Sequence, residues 1–512
     1  MADSKREVER KYEATPETRL PDLTRAAGVS AVVHRGLSEL DAVYYDTEDL
    51  RLAAASLTLR RRTGGDDAGW HLKIPVSSGV RDEIRAPLTD TLPPDLDALL
   101  RSRVRNTRLA PVVRILSARD VHHLLDEDGA LLAEVSVDEV LAERLTGKGR
   151  GATSAWTELE VELADDGDPA LLDAVERRLR KAGVRPSDAP SKLSRALAET
   201  APEKRARKVG KAKPAAAPHT AGAHVLAYVR RQAEALVELD PAVRRDLPDS
   251  VHRMRVATRR LRSAFRTYRA LLDRTVTDPL REELKWLAAE LGADRDQEVL
   301  DARLRSHLAA VPTPLLLGPV KARRKLTSVS RRTGSRRRAT SVLDTERYLA
   351  LLDSLDALLV DPPLRPAAAR PPRDALPRAV LKDYARLAAR VGHALEQPPG
   401  EDRDLAMHEA RKAAKRVRYA AEAARPALGK PAKRFAKRMK SVQSVLGDHQ
   451  DSVVTRDALR TLAVQAHGAG ESAFTWGLLY GREEAAAGAR ERELPEVWAR
   501  ASRPGLRAAL KG

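Results

Sequence analysis

Two short segments place acidic residues at every second position, and this alternation constrains the fold more than any other feature. The segments are Glu7-Val8-Glu9-Arg10-Lys11 and Glu158-Leu159-Glu160-Val161-Glu162. In an extended strand successive side chains point to opposite faces, so each segment places its carboxylates on one side. Carboxylates this close repel one another unless water, basic side chains or divalent cations lie opposite. The alternation therefore predicts strands with one charged face and a metal or ligand site on that face.

The same alternation recurs in the segments between these two. Their charged faces carry, in chain order, Arg60 and Arg62; His71 and Lys73; Arg81, Glu83 and Arg85; and Glu134, Ser136 and Asp138. For any one strand, the simpler interpretation is a solvated face of an antiparallel sheet. Because acids and bases share the charged faces of many strands, we predict a barrel that is closed with that side inward. Its basic residues could hold phosphates, and its carboxylates could hold Mg²⁺ or Mn²⁺.

The composition narrows the class of partner. Ninety-two Lys and Arg against 73 Asp and Glu give a formal charge of +19, which favours polyanionic partners. Aromatic residues make up only 3% of the chain, too few for the stacking platforms of single-stranded nucleic-acid binders. We therefore expect phosphate chains, and no nucleic acid, as partners.

The sequence also bears on the cellular compartment and on membrane association. Cysteine is absent, so disulfides and thiolate metal sites are excluded. The start of the chain is charged, which does not fit a signal peptide, and no apolar run is long enough to predict a membrane span. We expect a cytoplasmic protein without membrane association.

The composition and periodicity of the sequence change twice along the chain, which predicts two domains joined by a linker. Residues 1–198 mix short alternating runs with short helical stretches, and residues 199–222 are basic and rich in Ala and Pro, as in flexible linkers. Residues 223–512 show helical spacing of Ala, Leu and Arg, which predicts an all-helical domain. Within it, the block from Arg331 to Arg338 is expected to be a basic loop.

The helical part contains an internal repeat. His408 follows His252 by 156 residues, and each begins a basic series at offsets of 3, 7 and 10: Arg255, Arg259 and Arg262 after the first, and Arg411, Lys415 and Arg418 after the second. On a helix these offsets fall within roughly 80°, so each series forms one stripe, about 15 Å long. Arg260 and Arg416 widen the stripes. Each repeat then has a Leu-Gly pair before acidic residues, at Leu291-Gly292 and Leu446-Gly447, which we expect to be turns. A duplication explains this pattern.

Roughly the first 195 residues contain an ordered series of matches to one known signature. In chain order these are Glu7-Val8-Glu9-Arg10-Lys11, Tyr44-Tyr45-Asp46-Thr47, Leu59-Arg60-Arg61-Arg62, Lys73, Arg81 with Glu83, Arg119, Glu134 with Asp138, Glu158-Leu159-Glu160-Val161-Glu162 and Ser191-Lys192. The first segment resembles the ExExK signature of the CYTH, or triphosphate tunnel metalloenzyme, superfamily. The resemblance implies an α+β domain with an eight-stranded antiparallel tunnel that binds a triphosphate together with divalent cations.

The resemblance also implies roles for individual residues. The implied metal ligands are Glu7, Glu9, Glu158, Glu160 and Glu162, and the implied phosphate-binding residues are Lys11, Arg60, Arg62, Lys73, Arg81, Arg114, Arg119 and Lys192. Glu7, Glu9 and Lys11 would be catalytic. Glu134 and Asp138 are candidates for the general base, and a structural ion pair with an arginine is the alternative for both.

The two basic stripes resemble the CHAD, or conserved histidine α-helical, domain. The matching segments are Val251-His252-Arg253-Met254-Arg255-Val256 with Arg259-Arg260-Leu261-Arg262, and Met407-His408-Glu409-Ala410-Arg411-Lys412 with Lys415-Arg416-Val417-Arg418-Tyr419. The resemblance implies two pseudo-symmetric helical bundles that bind inorganic polyphosphate. The implied binding residues are His252, Arg255, Arg259, Arg260, Arg262, His408, Arg411, Lys412, Lys415, Arg416 and Arg418.

Taken together, these features predict an inorganic triphosphatase that uses Mg²⁺ or Mn²⁺. Its helical domain is expected to bind polyphosphate, and the protein is expected to associate with polyphosphate granules. One alternative is a binding or targeting protein without catalysis. Another is a triphosphatase acting on a nucleotide or on thiamine triphosphate. The preferred triphosphate and the oligomeric state stay open.

Overall fold

The computed structural model describes residues 3–26, 28–201, 219–292 and 295–511, without the side chains of Asp3, 295–298 and 326–337. It divides the chain into two compact units, 1–215 and 216–512. Most of the predicted linker, residues 202–218, lies outside the described residues.

The first unit is built on antiparallel strands and a few short helices. In the described residues its strands are β1 (Asp3–Ala14), β2 (Ala31–Asp46), β3 (Thr58–Thr63), β4 (Gly69–Ser77), β5 (Val80–Ala86), β6 (Ala110–Leu125), β7 (Leu131–Arg144), β8 (Thr153–Leu163) and the two-residue β9 (Arg185–Pro186). Its helices are α1 (Arg51–Ala54), α2 (Pro94–Val104), α3 (Ala170–Lys181) and α4 (Lys192–Glu199).

Eight of these strands close into a barrel. The order is β5-β4-β3-β2-β6-β7-β8-β1, and β1 then pairs with β5, so the sheet returns to its starting strand. β1 is divided between two neighbours: Glu7 lies opposite Arg81 of β5, and Lys11 lies opposite Glu160 of β8. Closure gives every strand two partners and leaves these eight without a free edge. The predicted eight-stranded antiparallel tunnel is confirmed.

Helices cover the apolar side of the barrel and one of its ends. Leu172 and Val175 of α3 pack in one buried cluster with Leu159 and Val161, which alternate with the acidic residues of β8. The α2 helix packs in the same way over β3, β4 and β5. Leu193 of α4 instead shares a cluster with barrel residues that include Ile115 and Trp156. The apolar positions of the strands therefore face helices, and the charged positions are left for the interior.

The second unit is entirely helical where it is described, as predicted. Its helices are α5 (Ala221–Arg244), α6 (Ser250–Thr267), α7 (Arg274–Glu290), α8 (Arg295–Ala309), α9 (Val320–Leu343), α10 (Glu346–Val360), α11 (Pro372–Glu396), α12 (Glu401–Leu428), α13 (Lys430–Gly468), α14 (Phe474–Ala501) and α15 (Pro504–Ala508). The threonines Thr220 and Thr345 accept backbone N–H bonds at the starts of α5 and α10, as N-cap residues do. No helix among the described residues combines the length and the apolarity that a membrane crossing requires.

The helix order reproduces the sequence repeat. The consecutive helices α5, α6 and α7 correspond to α11, α12 and α13, with His252 and His408 near the starts of α6 and α12. A Cβ atom on Gly292 would lie 3.0 Å from Nη2 of Arg255, and one on Gly447 would lie 3.6 Å from Nε of Arg411. In both repeats, therefore, the glycine of the Leu-Gly pair lies beside the equivalent arginine of the stripe.

Two local predictions in this unit are wrong. Leu446-Gly447 is not a turn, because α13 continues through it to Gly468. The missing side chain of Gly447 leaves space for Arg411 of α12. The block from Arg331 to Arg338 is not a loop, because it lies within α9. Arginine has a high helix propensity, so a dense basic run does not by itself break a helix. The first Leu-Gly pair does follow a helix end, at Glu290.

Candidate active site in the tunnel and candidate polyanion site in the helical unit

The tunnel encloses a charged cavity of about 270 Å³. β1 contributes Lys5, Glu7, Glu9 and Lys11 to its lining, all from one side of the strand, as the alternation predicts. The other predicted residues in the lining are Arg60, Arg62, Lys73, Arg81, Arg119, Glu134, Glu160, Glu162 and Lys192. Most of the tunnel residues inferred from the sequence are therefore brought together around a single cavity.

The carboxylates of β1 have different partners and different pKa shifts. Oε2 of Glu7 lies 2.6 Å from Nζ of Lys73, yet burial and the nearby Glu83 and Glu162 raise the pKa of Glu7 to about 7. Burial also acts to raise the pKa of Glu9, but Lys11, Lys73 and Arg81 outweigh it and lower that pKa. The cations of the tunnel wall therefore neutralise the charge at Glu9 more fully than the charge at Glu7.

At the end of the tunnel where α4 begins, three carboxylates surround one lysine. Nζ of Lys192 lies 2.8 Å from Asp138, 2.7 Å from Glu158 and 2.8 Å from Glu160. Oxygen atoms of the three acids lie within 4.8 Å of one another, a spacing that could also hold a metal ion. Because the lysine ammonium is already bound among them, this cluster has a cation of its own. Glu158 also accepts a hydrogen bond from Nε1 of Trp156 at 2.6 Å, which fixes it at this end.

The basic residues of the tunnel are held in place by acids from neighbouring strands. Arg119 donates from Nε and Nη2 to the two oxygens of Asp138, at 2.8 and 2.9 Å, and from Nη2 to Glu160 at 3.1 Å. Arg60 and Lys73 lie 3.6 and 3.7 Å from Glu83, and Arg62 pairs with Asp67. Each cation therefore has a fixed direction before any ligand binds.

Arg114 is not brought to the tunnel with the other predicted phosphate-binding residues. It is five positions from Arg119 on β6, an odd number, so the two side chains point to opposite faces of the strand. Arg114 is half exposed and donates to both oxygens of Asp41 on β2, at 3.0 and 2.6 Å. Its position is that of an ion pair on the outside of the barrel.

The two candidates for the general base occupy different positions. Asp138 is fully buried, and Arg119 and Lys192 use both of its oxygens. Glu134 lines the cavity, and Nε2 of His123 lies 3.6 Å from its carboxylate. Among the described residues, both oxygens of Asp138 are thus occupied by basic side chains, whereas the carboxylate of Glu134 borders the open space of the cavity.

Two charged residues of the described lining, Lys5 and Asp67, were not predicted from the sequence. Lys5 extends the β1 stripe, so continuing the alternation by two residues would have found it. Tyr44, part of the matched Tyr44-Tyr45-Asp46-Thr47 segment, is buried and also lines the cavity. Burial favours its neutral form, but Arg60, Lys192 and Lys73 outweigh that effect and lower the pKa of Tyr44. Nothing in the sequence marked Asp67, which reaches Arg62 from the β3–β4 turn.

In the helical unit, the two predicted stripes meet across a second cavity of about 350 Å³. From α6 come Arg259, Arg262, Ser263 and Arg266; from α7, Arg281; and from α12, Lys412, Lys415, Arg416 and Tyr419. The two halves of the internal repeat therefore contribute to one site instead of forming two separate ones. Arg266 continues the α6 stripe by one helical turn, whereas the stripe spacing gave no signal for Arg281.

Carboxylates are scarce around this cavity, in contrast to the tunnel. Among the described residues, Arg259, Arg262, Arg266 and Lys415 have no acidic group within ion-pair distance. The Nε atom of Arg259 is buried and lacks a hydrogen-bond acceptor in the same part of the structure. Burial, together with Arg411, Arg259 and Arg418, lowers the pKa of Lys415 to about 8. The cations here repel one another, so a bound anion would stabilise them.

The remaining residues of the stripes lie beside this cavity and have partners within the protein. Arg260 and Arg418 contact the ring of Tyr419, at 5.6 and 4.7 Å, and both lie close to Glu422. Arg411 lies 3.6 Å from Asp451, one of the acidic residues that follow the second Leu-Gly pair.

The two histidines of the repeat are also outside the cavity. His408 is hydrogen-bonded through Nδ1 to Gln450 and lines a neighbouring pocket, while His252 is exposed. The acidic residues Asp294 and Asp296 of the first repeat, with Arg295 between them, fall outside the described side chains.

Comparison with known proteins supports the division of the chain into these two parts. The sequence profile of the CYTH domain matches residues 5–197, and that of the CHAD domain matches residues 227–460. Uncharacterised proteins of Mycobacterium tuberculosis, from strains CDC 1551 / Oshkosh and H37Rv, are 38% identical to this chain over 494 residues. That match covers 93% of this chain and 92% of each relative.

Two solved structures are similar to part of this chain. PptA from Streptomyces chartreusis is 22% identical and matches with a TM-score of 0.46, covering 55% of this chain and 99% of that protein. The CHAD domain from the plant Ricinus communis is 26% identical, with a TM-score of 0.43, and the match covers 57% of this chain and 92% of that domain.

The closed tunnel lined by both signs of charge, the duplicated basic helices and the two profile matches lead to one conclusion. The chain belongs to the family that joins a CYTH domain, of the triphosphate tunnel metalloenzyme type, to a polyphosphate-associated CHAD domain.

Proposed function

We propose that the tunnel hydrolyses inorganic triphosphate with Mg²⁺ or Mn²⁺, and that the helical unit binds polyphosphate through the cavity between α6 and α12. The observation that carries the proposal for the tunnel is the meeting of two sets of side chains in one cavity. Glu7, Glu9 and Glu162 lie on adjacent strands, and a set of fixed cations faces the same space. Oxygen donors suit hard divalent cations, and guanidinium and ammonium groups suit phosphate oxygens.

The metal would be held by Glu7, Glu9 and Glu162. Glu160, two residues before Glu162 on β8, lies beside them in the lining of the same cavity. The raised pKa of Glu7 supports this fit, because it indicates a carboxylate that the surrounding lysines and arginines leave incompletely neutralised. Glu158 is not included, since Lys192 and Trp156 already bind it. Glu7, Glu9 and Glu162 would hold a divalent cation, which would supply charge neutralisation for phosphate and Lewis-acid activation of water.

The basic residues bind and orient the phosphate chain. Lys11, Arg60, Arg62, Lys73, Arg81, Arg119 and Lys192 would contact its oxygens, and their acidic partners fix their directions in advance. Preorganised cations lower the cost of forming the in-line transition state, in which negative charge spreads over the phosphate oxygens. Glu134, which lines the same cavity, is the residue proposed to accept the proton of the attacking water.

The size and lining of the cavity favour an inorganic triphosphate. Its volume of about 270 Å³ is at the lower limit of what small-molecule pockets usually offer. Among the described lining residues Tyr44 is the one aromatic side chain, and it is buried against cations instead of presenting an open ring face to a base. A nucleoside attached to the triphosphate would therefore gain little from this lining.

The helical site is proposed to take longer phosphate chains. Arg259, Arg262, Arg266 and Lys415 surround one cavity and lack acidic partners in the described part of the unit. A linear polyanion can satisfy several such cations at once, whatever its total length. Binding of this kind releases counterions, so it weakens as the salt concentration rises.

We predict that replacing Glu7 and Glu9 with Gln abolishes most of the hydrolysis. The double variant keeps the shape of both side chains but removes two charged metal ligands, so phosphate release from tripolyphosphate should fall about 100-fold or more. Initial rates with Mg²⁺ and with Mn²⁺ measure this. Glu139→Gln with Glu143→Gln, two exposed positions on β7, is the matched control. Equal rates in the Glu7/Glu9 variant and in the control would reject catalysis by these residues.

Metal binding should depend on pH because Glu7 must lose its proton before it can bind the cation. With a pKa of about 7, Glu7 is increasingly protonated as the pH falls below that value. The affinity for Mn²⁺ should therefore rise about fivefold from pH 6 to pH 7 and about twofold from pH 7 to pH 8, and then level off. Titration calorimetry between about pH 6 and pH 8 measures it, and Glu7→Gln should show a weaker affinity that is flat with pH. A flat profile in the unsubstituted protein would contradict the role of Glu7.

Arg119 and Arg114, both on β6, provide a test variant and its matched control. Arg119→Gln should lower kcat/KM for tripolyphosphate about tenfold or more, because it removes a charge-assisted bond worth about 1.5–3 kcal/mol. Arg114→Gln should leave kcat/KM near that of the unsubstituted protein, since Arg114 lies on the outer face. The melting temperature of both variants should be recorded, as Arg119 also binds Asp138. A similar loss of kcat/KM in both variants would argue against the tunnel as the reaction site.

For the helical site, the test is Arg259→Gln with Lys415→Gln in the full chain, titrated with long-chain polyphosphate. Each lost contact should cost about 1.5–3 kcal/mol, so Kd should rise at least about 100-fold for the pair. The affinity should also become less sensitive to salt. Arg274→Gln with Lys285→Gln removes the same charge from exposed positions of α7 and serves as the control. If both double variants bind equally well, net charge and not this cavity determines the affinity.

A further inference from the structure

A cluster on the outer surface of the barrel has no part in the tunnel chemistry. It consists of His34 on β2 and of Asp120 and His122 on β6. One ligand atom from each residue lies within 4.8 Å of the other two. From this arrangement we infer a second metal site, one that takes a transition-metal dication of the Zn²⁺ type.

The strand geometry places these three side chains together. His122 pairs directly with His34 across the two strands, and Asp120 lies two residues before His122, hence on the same face of β6. Val121 and His123 point the other way, and His123 contacts Glu134 of the tunnel lining. The cluster is therefore on the outside of the wall, close to the tunnel region that contains Glu134.

A β-bulge brings His34 to this face. The register of β2 against β6 shifts between His34 and Gly36, so Arg35 is an extra residue, and Gly36 has φ of +103°. Without the shift, His34 would share the inward face with the even-numbered positions that include Tyr44. The bulge thus re-aims one imidazole toward the other two groups.

The polar atoms of the cluster are only partly satisfied within the protein. Nε2 of His34 lies 2.6 Å from Oδ1 of Asp120, and the rings of His34 and His122 are 5.0 Å apart. Nδ1 of His122 is buried and has no hydrogen-bond partner among the described residues. Leu124 and Val135, its neighbours on the same face, are fully buried apolar residues. An imidazole nitrogen is thus turned away from water with nothing bound to it.

The donor set favours a borderline transition metal over Mg²⁺ or Mn²⁺. Two imidazole nitrogens and a carboxylate oxygen are ligands that Zn²⁺ accepts, at about 2.0–2.2 Å, whereas Mg²⁺ and Ca²⁺ require mostly oxygen. Donors around such an ion lie up to about 4 Å apart, so small rotations of the rings would complete the site. His34 and Asp120 are 60% and 40% exposed, which leaves the outer side of the ion open to water. Zn²⁺ would bind between Nε2 of His34 and Oδ1 of Asp120, which now contact each other directly.

Zn²⁺ bound here would join β2 to β6 beside the bulge. Because the ion binds the folded arrangement and not the separated strands, it should stabilise the barrel by mass action. The chain contains no cysteine, so thiolates cannot contribute to zinc binding anywhere in it. This site uses none of the residues assigned to triphosphate hydrolysis, and its test does not depend on that activity.

The experiment is a titration of the full chain with ZnCl₂ in an excess of Mg²⁺, which occupies sites built of oxygen donors. We expect one Zn²⁺ per chain, a rise in melting temperature, and a zinc X-ray absorption spectrum with outer-shell scattering from two imidazole rings. His34→Gln and His122→Gln should each weaken zinc binding about 100-fold and remove the rise in melting temperature. His393→Gln, an exposed histidine of α11, is the matched control and should bind as the unsubstituted protein does.

Three results would overturn the inference. The first is the absence of zinc binding under these conditions. The second is zinc binding that stays unchanged in both His34→Gln and His122→Gln. The third is an absorption spectrum that contains oxygen ligands alone. Because His34 is mostly exposed, its substitution should leave the barrel folded, so loss of binding in that variant reports on the site itself.

Discussion

The ion contacts of Lys192 with Asp138, Glu158 and Glu160 determine how the rest of the tunnel can work. Charges that leave water are costly unless each one finds an opposite charge in good geometry, and here one buried ammonium is bound by two buried carboxylates and one largely buried one. Lys192 is also the first residue of α4, so the same contacts fix that helix at one end of the barrel. Without Lys192, three acids from two adjacent strands would repel one another in a low-dielectric space.

This arrangement leaves an uneven balance of charge along the tunnel. Among the described residues, Asp138 and Glu160 at the Lys192 end each contact at least two cations, whereas Glu7 and Glu162 contact one lysine each, and the pKa of Glu7 is raised. The proposed metal position near Glu7 rests on this difference, although the carboxylate oxygens of the triad around Lys192 lie within 4.8 Å of one another. Proximity of carboxylates alone would instead place the ion in the triad.

The alternation of charges in the sequence was sufficient to predict the tunnel but not to place each residue in it. Glu7, Glu9 and Lys11 share a face because their spacing is two, and closure of the barrel turns that face inward. The same rule excludes Arg114, which is separated from Arg119 by an odd number of residues, so the prediction for Arg114 could have been corrected from the sequence. The role of Glu158 could not, because it depends on where α4 places Lys192.

In the helical unit the repeat predicted both stripes, but it did not predict that the two stripes line the same cavity. The spacing of His252, Arg255, Arg259 and Arg262 defines one face of a helix, and it contains no information about which other helix that face will contact. Arg281 joins the cavity from α7 through tertiary packing, so no periodicity in the sequence could indicate it. The predicted turn at Leu446-Gly447 is wrong for a related reason. Its glycine accommodates a neighbouring arginine, and that neighbour is unknown before the fold is known.

If the proposed functions hold, the two units would handle phosphate charge in opposite ways, because their cations have different partners within the protein. In the tunnel the cations contact carboxylates, so a phosphate chain would compete with acids that are already bound, and a divalent ion would neutralise those acids. In the described part of the helical unit, Arg259, Arg262, Arg266 and Lys415 have no acid within ion-pair distance, so a bound polyanion would relieve their mutual repulsion. The first arrangement suits a short substrate held in one geometry for reaction. The second suits long chains of variable length, because each added phosphate can contact whichever cation is next along the stripe.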